Sequence, residues 1–215
     1  MERLMDTVMK TVMKNRRNFM KRTYFIFFLC LAFLLSGCAP FSPNLEKEPV
    51  ENKSHILVGH SMEVENTDSR LVLVDDNSTL AADGLYYVSW GMGDPEPYEN
   101  SDGDAANLYD ATLYLLLGES KDAASAQKNM TTWLEAAKTN YEILEEEEIT
   151  CNGQSYTLLT YNCIHEDNPY DRGVSAFASI SGVSLCVELT CQEDFQDDLR
   201  NIMTNFLEHC SYTAE

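Results

Sequence analysis

Gly59-His60-Ser61-Met62-Glu63 is the first stretch whose residue types could do chemistry, because it sets a serine hydroxyl beside an imidazole just after a glycine. It approaches Gly-x-Ser-x-Gly, in which a sharp strand-to-helix turn exposes a nucleophilic serine. Here Glu63 stands where the second glycine belongs, and the flanking residues alternate as strands do. An ordinary strand serine is expected. The histidines are His55, His60, His165 and His209. They show no His-x-x-x-His spacing and no Cys-x-x-Cys accompanies them, so spacing gives a zinc site little support. His209 falls at the end of a C-terminal helix, where an imidazole complements the helix dipole. No phosphate-binding loop or dinucleotide fingerprint is present, and no cofactor is implied.

The best candidate site is the polar stretch 91–107 (GMGDPEPYENSDGDAAN). Asp94, Glu96, Glu99, Asp102 and Asp104 fall within eleven residues. Hard oxygen ligands of this kind suit Ca²⁺, and Asp94, Asp102 and Asp104 are the expected ligands. EF-hand spacing nevertheless fails. With Asp102 as first ligand, the fifth position is Ala106 and the twelfth is Leu113; with Gly103 in the glycine slot, the first ligand is Tyr98. The competing expectation is a solvated loop.

The N-terminal residues are more specific. Lys21-Arg22 precedes an apolar run, Tyr24 to Leu35. As a helix this run spans about 18 Å, too short for a hydrocarbon core of about 30 Å. A basic segment, a short apolar core and small residues make an export signal. Its end, Leu35-Ser36-Gly37-Cys38, resembles the bacterial lipobox. That resemblance implies cleavage before Cys38 and lipidation of its sulfur. Residues 1–19 are longer than such a signal needs, which points to a true start at Met20 or Met13. Ala39 follows the cysteine, so the aspartate associated with inner-membrane retention is missing, and the expected location is a cell membrane, lipid-anchored and facing outside the cytoplasm: the outer face of a cytoplasmic membrane, or an outer membrane.

The organisation that follows is a signal peptide over 1–37, the lipidated cysteine and a tether over 38–53, and one globular domain over 54–215. The tether is rich in Pro, Glu, Asn and Lys, and its 15 residues after Cys38 reach roughly 50 Å when extended. Lys plus Arg total 15 against 35 Asp plus Glu, a net of -20. Residues 1–37 hold seven of the basic residues and two of the acids, so the remainder carries a net of -25. A phosphate backbone needs a basic face, so nucleic acid is excluded as a partner. Five cysteines remain beyond Cys38: Cys151, Cys163, Cys186, Cys191 and Cys210. Outside the cytoplasm they are expected to form one or two bridges, or to stay reduced in an anaerobe; their pairing cannot be read from spacing.

Within the globular part, 55–65 and 70–75 read as a hairpin around Asn66-Thr67-Asp68-Ser69, and 85–92 and 108–117 as two further strands. Residues 122–141 change to a helical period, with a stripe of Ala123, Ala126, Met130, Trp133, Ala137 and Tyr141. Asn152-Gly153 joins strands 143–151 and 154–162, and Ser181-Gly182 joins 173–180 and 183–190. A helix over about 194–209 closes the chain, striped by Phe195, Leu199, Ile202, Met203, Phe206 and Cys210. The run Glu145 to Glu148 reads as the exposed start of a strand that discourages edge pairing. The fold class expected is α+β, an antiparallel sheet with both amphipathic helices packed on one face. The element order resembles the Mog1/PsbP/DcrB-type fold, carried by the strand at Leu85–Met92, the helix at 122–141, the Asn152-Gly153 hairpin and the closing strand–turn–strand–helix. That resemblance implies a binding or accessory role.

The expected function is therefore a non-enzymatic, membrane-anchored lipoprotein that binds an envelope protein. Tyr86, Tyr87 and Trp90 are either contact residues or core. The alternatives are a Ca²⁺ or small-ligand sensor using loop 94–104, and an envelope hydrolase whose site has no recognisable spacing.

Overall fold

Period-two alternation becomes strand along most of the chain in the computed structural model, which describes residues 53–82, 84–99, 105–165 and 168–212. The elements are β1 (His55–Val58), β2 (Met62–Glu65), β3 (Val72–Ala82), β4 (Leu85–Met92), β5 (Glu96–Glu99), β6 (Ala105–Leu108), β7 (Ala111–Glu119), α1 (Ala123–Asn140), β8 (Tyr141–Cys151), β9 (Gln154–Cys163), β10 (Arg172–Ile180), β11 (Val183–Cys191), α2 (Leu199–Glu208) and β12 (Cys210–Tyr212). Seven strands form one sheet in the order β3-β4-β7-β11-β10-β9-β8, and every neighbouring pair is antiparallel. A second sheet has the order β1-β2-β12.

The two tight hairpins follow from their turn residues. Asn152 and Gly153 have φ of 45° and 74°, and Ser181 and Gly182 have φ of 47° and 88°. Two successive positive φ values match the right-handed twist of the flanking strands, which is why such pairs join β8 to β9 and β10 to β11. The expected hairpin around 66–69 is corrected. Gly59 supplies a φ of 59°, so the chain reverses at 59–61, and β1 and β2 pair with each other from His55↔Glu65 to Val58↔Met62. Residues 66–71 then carry the chain across to β3 in the large sheet.

The expectation that both helices share one sheet face is also corrected. Val88, Trp90, Leu113, Leu115, Leu117, Leu185, Val187 and Leu189 point to one face, where they form a continuous core with Ile202, Met203 and Phe206 of α2 and with Ile56, Val58, Met62, Val64 and Cys210 of the small sheet. The Trp90 and Phe206 rings meet edge-on at 5.3 Å. Helix α1 lies on the opposite face. Ser184 pairs with Gly118; the Ser184 hydroxyl donates to the Ala126 carbonyl at 3.0 Å, and the Trp133 ring lies over Gly118. The physical reason is that the sheet is apolar on both sides. The alternate residues Leu116, Phe177, Leu159 and Tyr161 are also buried, and each buried side chain of this size contributes about 1.5–3 kcal/mol only if covered. One helix cannot cover two faces.

Both helices start on an aspartate. Asp122 accepts the Ser125 N–H at 2.8 Å, and Asp198 accepts the Asn201 N–H at 3.1 Å. The second cap shortens the expected helix 194–209 to Leu199–Glu208, because Asp198 has extended backbone and ends the irregular segment before it. The Glu145 to Glu148 run lies in the middle of β8, which is an edge of the large sheet. Arg200 of α2 grips Glu147 with two hydrogen bonds at 2.7 and 2.9 Å.

Candidate functional site

The Gly59-His60-Ser61 segment forms the β1–β2 turn, not a strand, and the turn closes on a carboxylate far along the chain. Glu119, the last residue of β7, accepts the His60 backbone N–H at 2.7 Å and the Ser61 hydroxyl at 2.9 Å. The His60 Nδ1 lies 3.1 Å from its second oxygen, with the Tyr86 hydroxyl at 3.4 Å. Gly59 is required here, since a Cβ at this position would lie 2.8 Å from a Glu119 oxygen and 3.0 Å from the Tyr86 ring. Burial pushes the Glu119 carboxyl up, but the donors from His60 and Ser61 outweigh it and hold the carboxyl below its ordinary value. Burial and the Glu119 charge push the Tyr86 hydroxyl up.

A serine, an imidazole and a carboxylate thus meet, but their connections differ from those of a hydrolase. A nucleophilic serine donates to the imidazole that will take its proton, while the carboxylate orients that imidazole from the other side. Here the Ser61 hydroxyl donates to Glu119 itself. The carboxylate is the hub, and the set fastens the small sheet to the end of β7. The His60 side chain remains 82% exposed. Glu119 gave no signal in the sequence, because nothing local ties residue 119 to residue 60.

Two other histidines, His55 and His209, line one hollow on the outward face of the small sheet. His55, Glu63, Glu65, Asn152, Glu208, His209 and Ser211 line a concavity of about 200 Å³. His55 Nε2 lies 3.6 Å from a Glu63 oxygen. His209 closes α2 and places its Nδ1 2.8 Å from the Asn205 carbonyl. His165 stands apart, exposed after β9. Among the described residues, no three His, Cys, Asp or Glu side chains already converge as a metal site.

Of the expected calcium ligands, Asp94 is exposed beside Gly93; Asp102 and Asp104 lie outside the described residues, as do Cys38, the lipobox and the segment 1–52. All five cysteines from Cys151 onward are thiols. Burial, with Glu188 and Asp171 nearby, pushes the Cys163 thiol up to about 12; burial likewise raises Cys151, Cys191 and Cys210. Thiols so placed hold almost no thiolate and are poor nucleophiles. Tyr86 and Trp90 are core residues. Tyr87 is half-buried on the α1 face, its ring 6.0 Å from that of Tyr114. On that face Tyr161 donates to Glu188 at 2.7 Å and stacks on Tyr141 at 4.1 Å, a part-buried polar pair that period-two alternation alone does not reveal.

No protein-family model matches the chain, and no curated protein matches it. Among solved structures it is similar to the solution structure of cyanobacterial PsbP (CyanoP) from Synechocystis sp. PCC 6803. The two share 14% identity with a TM-score of 0.36, over 62% of this chain and 95% of that one.

Proposed function

We propose that the chain is a membrane-anchored lipoprotein whose acidic head serves as a non-enzymatic binding or accessory module on the outer side of a cell membrane. Cys38 carries the lipid, 39–53 form the tether, and the head is a PsbP-type α+β domain on the strength of its element order. The observation that carries the non-enzymatic part is the wiring at Glu119. The most reactive-looking set in the head spends its serine and its imidazole Nδ1 on one carboxylate. The net charge of -25 beyond residue 37 suits a head that stays clear of anionic lipid and remains available to a protein partner.

The test uses the full-length protein in its native cells. Cys38→Ser is expected to release the head from the membrane fraction. Crosslinking the tagged parent in intact cells, followed by affinity recovery, is expected to yield one near-stoichiometric envelope protein. His60→Ala combined with Ser61→Ala should leave both results unchanged. A Cys38→Ser protein that stays in the membrane overturns the anchor. A hydrolytic activity that disappears with Ser61→Ala overturns the binding role.

A further inference from the structure

We propose that the outward face of the small sheet is a binding site for a zinc-type divalent cation, with His55, Glu65 and His209 as ligands and Glu63 beside them. The inference is independent of the lipid anchor and of any partner. It rests on strand register. His55 of β1 stands opposite Glu65 of β2. On the other side of Glu65, the register Cys210↔Val64 and the hydrogen bond from the Glu65 N–H to the His209 carbonyl, 3.0 Å, place His209 opposite the same residue. The three residues therefore form one row across three adjacent chain segments, imidazole–carboxylate–imidazole. The inward residues Ile56, Val64 and Cys210 bury the other side of the sheet, so the row faces the concavity of about 200 Å³ that His55, Glu65 and His209 help to line.

Strands lie about 4.8 Å apart, which separates the two outer backbones of the row by about 10 Å. Two imidazoles can span that distance from opposite sides and meet above the central carboxylate, with metal–nitrogen bonds of about 2.0–2.1 Å. A carbonyl only accepts, so the Nδ1 of His209 donates to Asn205, and Nε2 is the ring nitrogen left to face an ion. This is how metal-binding histidines are oriented by a second hydrogen bond. The Glu65 carboxylate has no hydrogen-bond or ion-pair partner among the described residues, and it sits between two rings that can each donate a lone pair. Glu63 and Glu208 add negative charge to the same hollow. His55, with its side chain 59% exposed, is free to swing from Glu63 onto the ion. Two imidazoles and a carboxylate favour Zn²⁺, Ni²⁺ or Cu²⁺ over Ca²⁺, which prefers oxygen ligands throughout. A bound ion would clamp β1, where the fold begins after the tether, to β2 and to the end of α2.

The test is a titration of the full-length protein in detergent with Zn²⁺ alone, followed by the imidazole proton resonances and by calorimetry. One Zn²⁺ per chain is expected to move the resonances of His55 and His209 and to leave those of His60 and His165 in place. The thermal midpoint should rise, and Ca²⁺ should move neither pair. His55→Ala and Glu65→Gln change exposed side chains, so far-UV dichroism should stay as in the parent while Zn²⁺ affinity falls at least about tenfold. Resonances of His55 and His209 that do not respond to Zn²⁺ overturn the proposal. So does an affinity that both variants retain, since the ion would then be held elsewhere.

Discussion

Replacing Glu119 by alanine tests whether the His60–Ser61–Glu119 set is a fastening. The carboxylate accepts the His60 N–H at 2.7 Å and the Ser61 hydroxyl at 2.9 Å, each worth about 1 kcal/mol net. The ring contact at 3.1 Å involves an imidazole 82% exposed, so it adds only about 0–1 kcal/mol. Glu119→Ala should therefore cost about 2–3 kcal/mol, and Ser61→Ala about 1 kcal/mol. Urea unfolding followed by tryptophan fluorescence measures both, and the midpoint should move without a change in slope. The pH dependence gives a second, sharper reading. The folded-state pKa of Glu119 lies below its ordinary value, so its stabilisation is complete above about pH 4.3 and is lost as pH falls through the lower folded value. The gap between the parent and Glu119→Gln should be flat from neutral pH down to about 5 and close below about 4. A cost for Glu119→Ala under about 0.5 kcal/mol, or a gap that widens on acidification, would refute the reasoning.

Three further outcomes are expected. Asp198→Ala should lower stability by about 1 kcal/mol in the same urea assay, because it removes the acceptor of the Asn201 N–H at the start of α2. Gly118→Val should cost about 1–3 kcal/mol, since a Cβ there already stands 3.1 Å from the Trp133 ring and 3.2 Å from Leu85; an unchanged midpoint would mean that α1 does not seat on this face. Thiol titration of the protein without reductant should count Cys151, Cys163, Cys186, Cys191 and Cys210 as titratable thiols in denaturant. In the native state Cys151, Cys191 and Cys210 should react slowest, because they are buried; a missing pair of thiols in denaturant would establish a bridge.

The sequence made elements legible wherever their signals were local. Asn152-Gly153 and Ser181-Gly182 carry the positive φ values of their turns on their own residues. The stripe of Leu199, Ile202, Met203 and Phe206 is buried along one side of α2, and the α1 stripe is buried at Ala126, Met130 and Ala137. Layering was harder to read. Gly118, Ser184 and the alternate apolar residues show a second buried face only once the strands are aligned, because small residues signal a close approach without saying what approaches. The β1–β2 reversal has only a single glycine, Gly59, as its local signal, against the turn-rich sequence 66–69. In the structure Asn66 and Asp68 hold a link between sheets, with the Asn66 amide on the Leu71 carbonyl at 2.9 Å.

Histidine spacing along the chain is the right guide when ligands sit on one helix, where residues three or four apart share a face. It says nothing about a row across a sheet, whose members are set by register. His55 and Glu65 are opposed only because the chain reverses at Gly59, and His209 joins them only because β12 adds to β2 after α2 has crossed the core. A reversal at 66–69 would have left His55 and Glu65 in the same strand. The correction to the hairpin and the proposed cation site are thus one inference: moving the turn by a few residues creates the pair, and the short β12, too brief to announce itself in the sequence, brings the preceding His209, which closes α2, alongside Glu65.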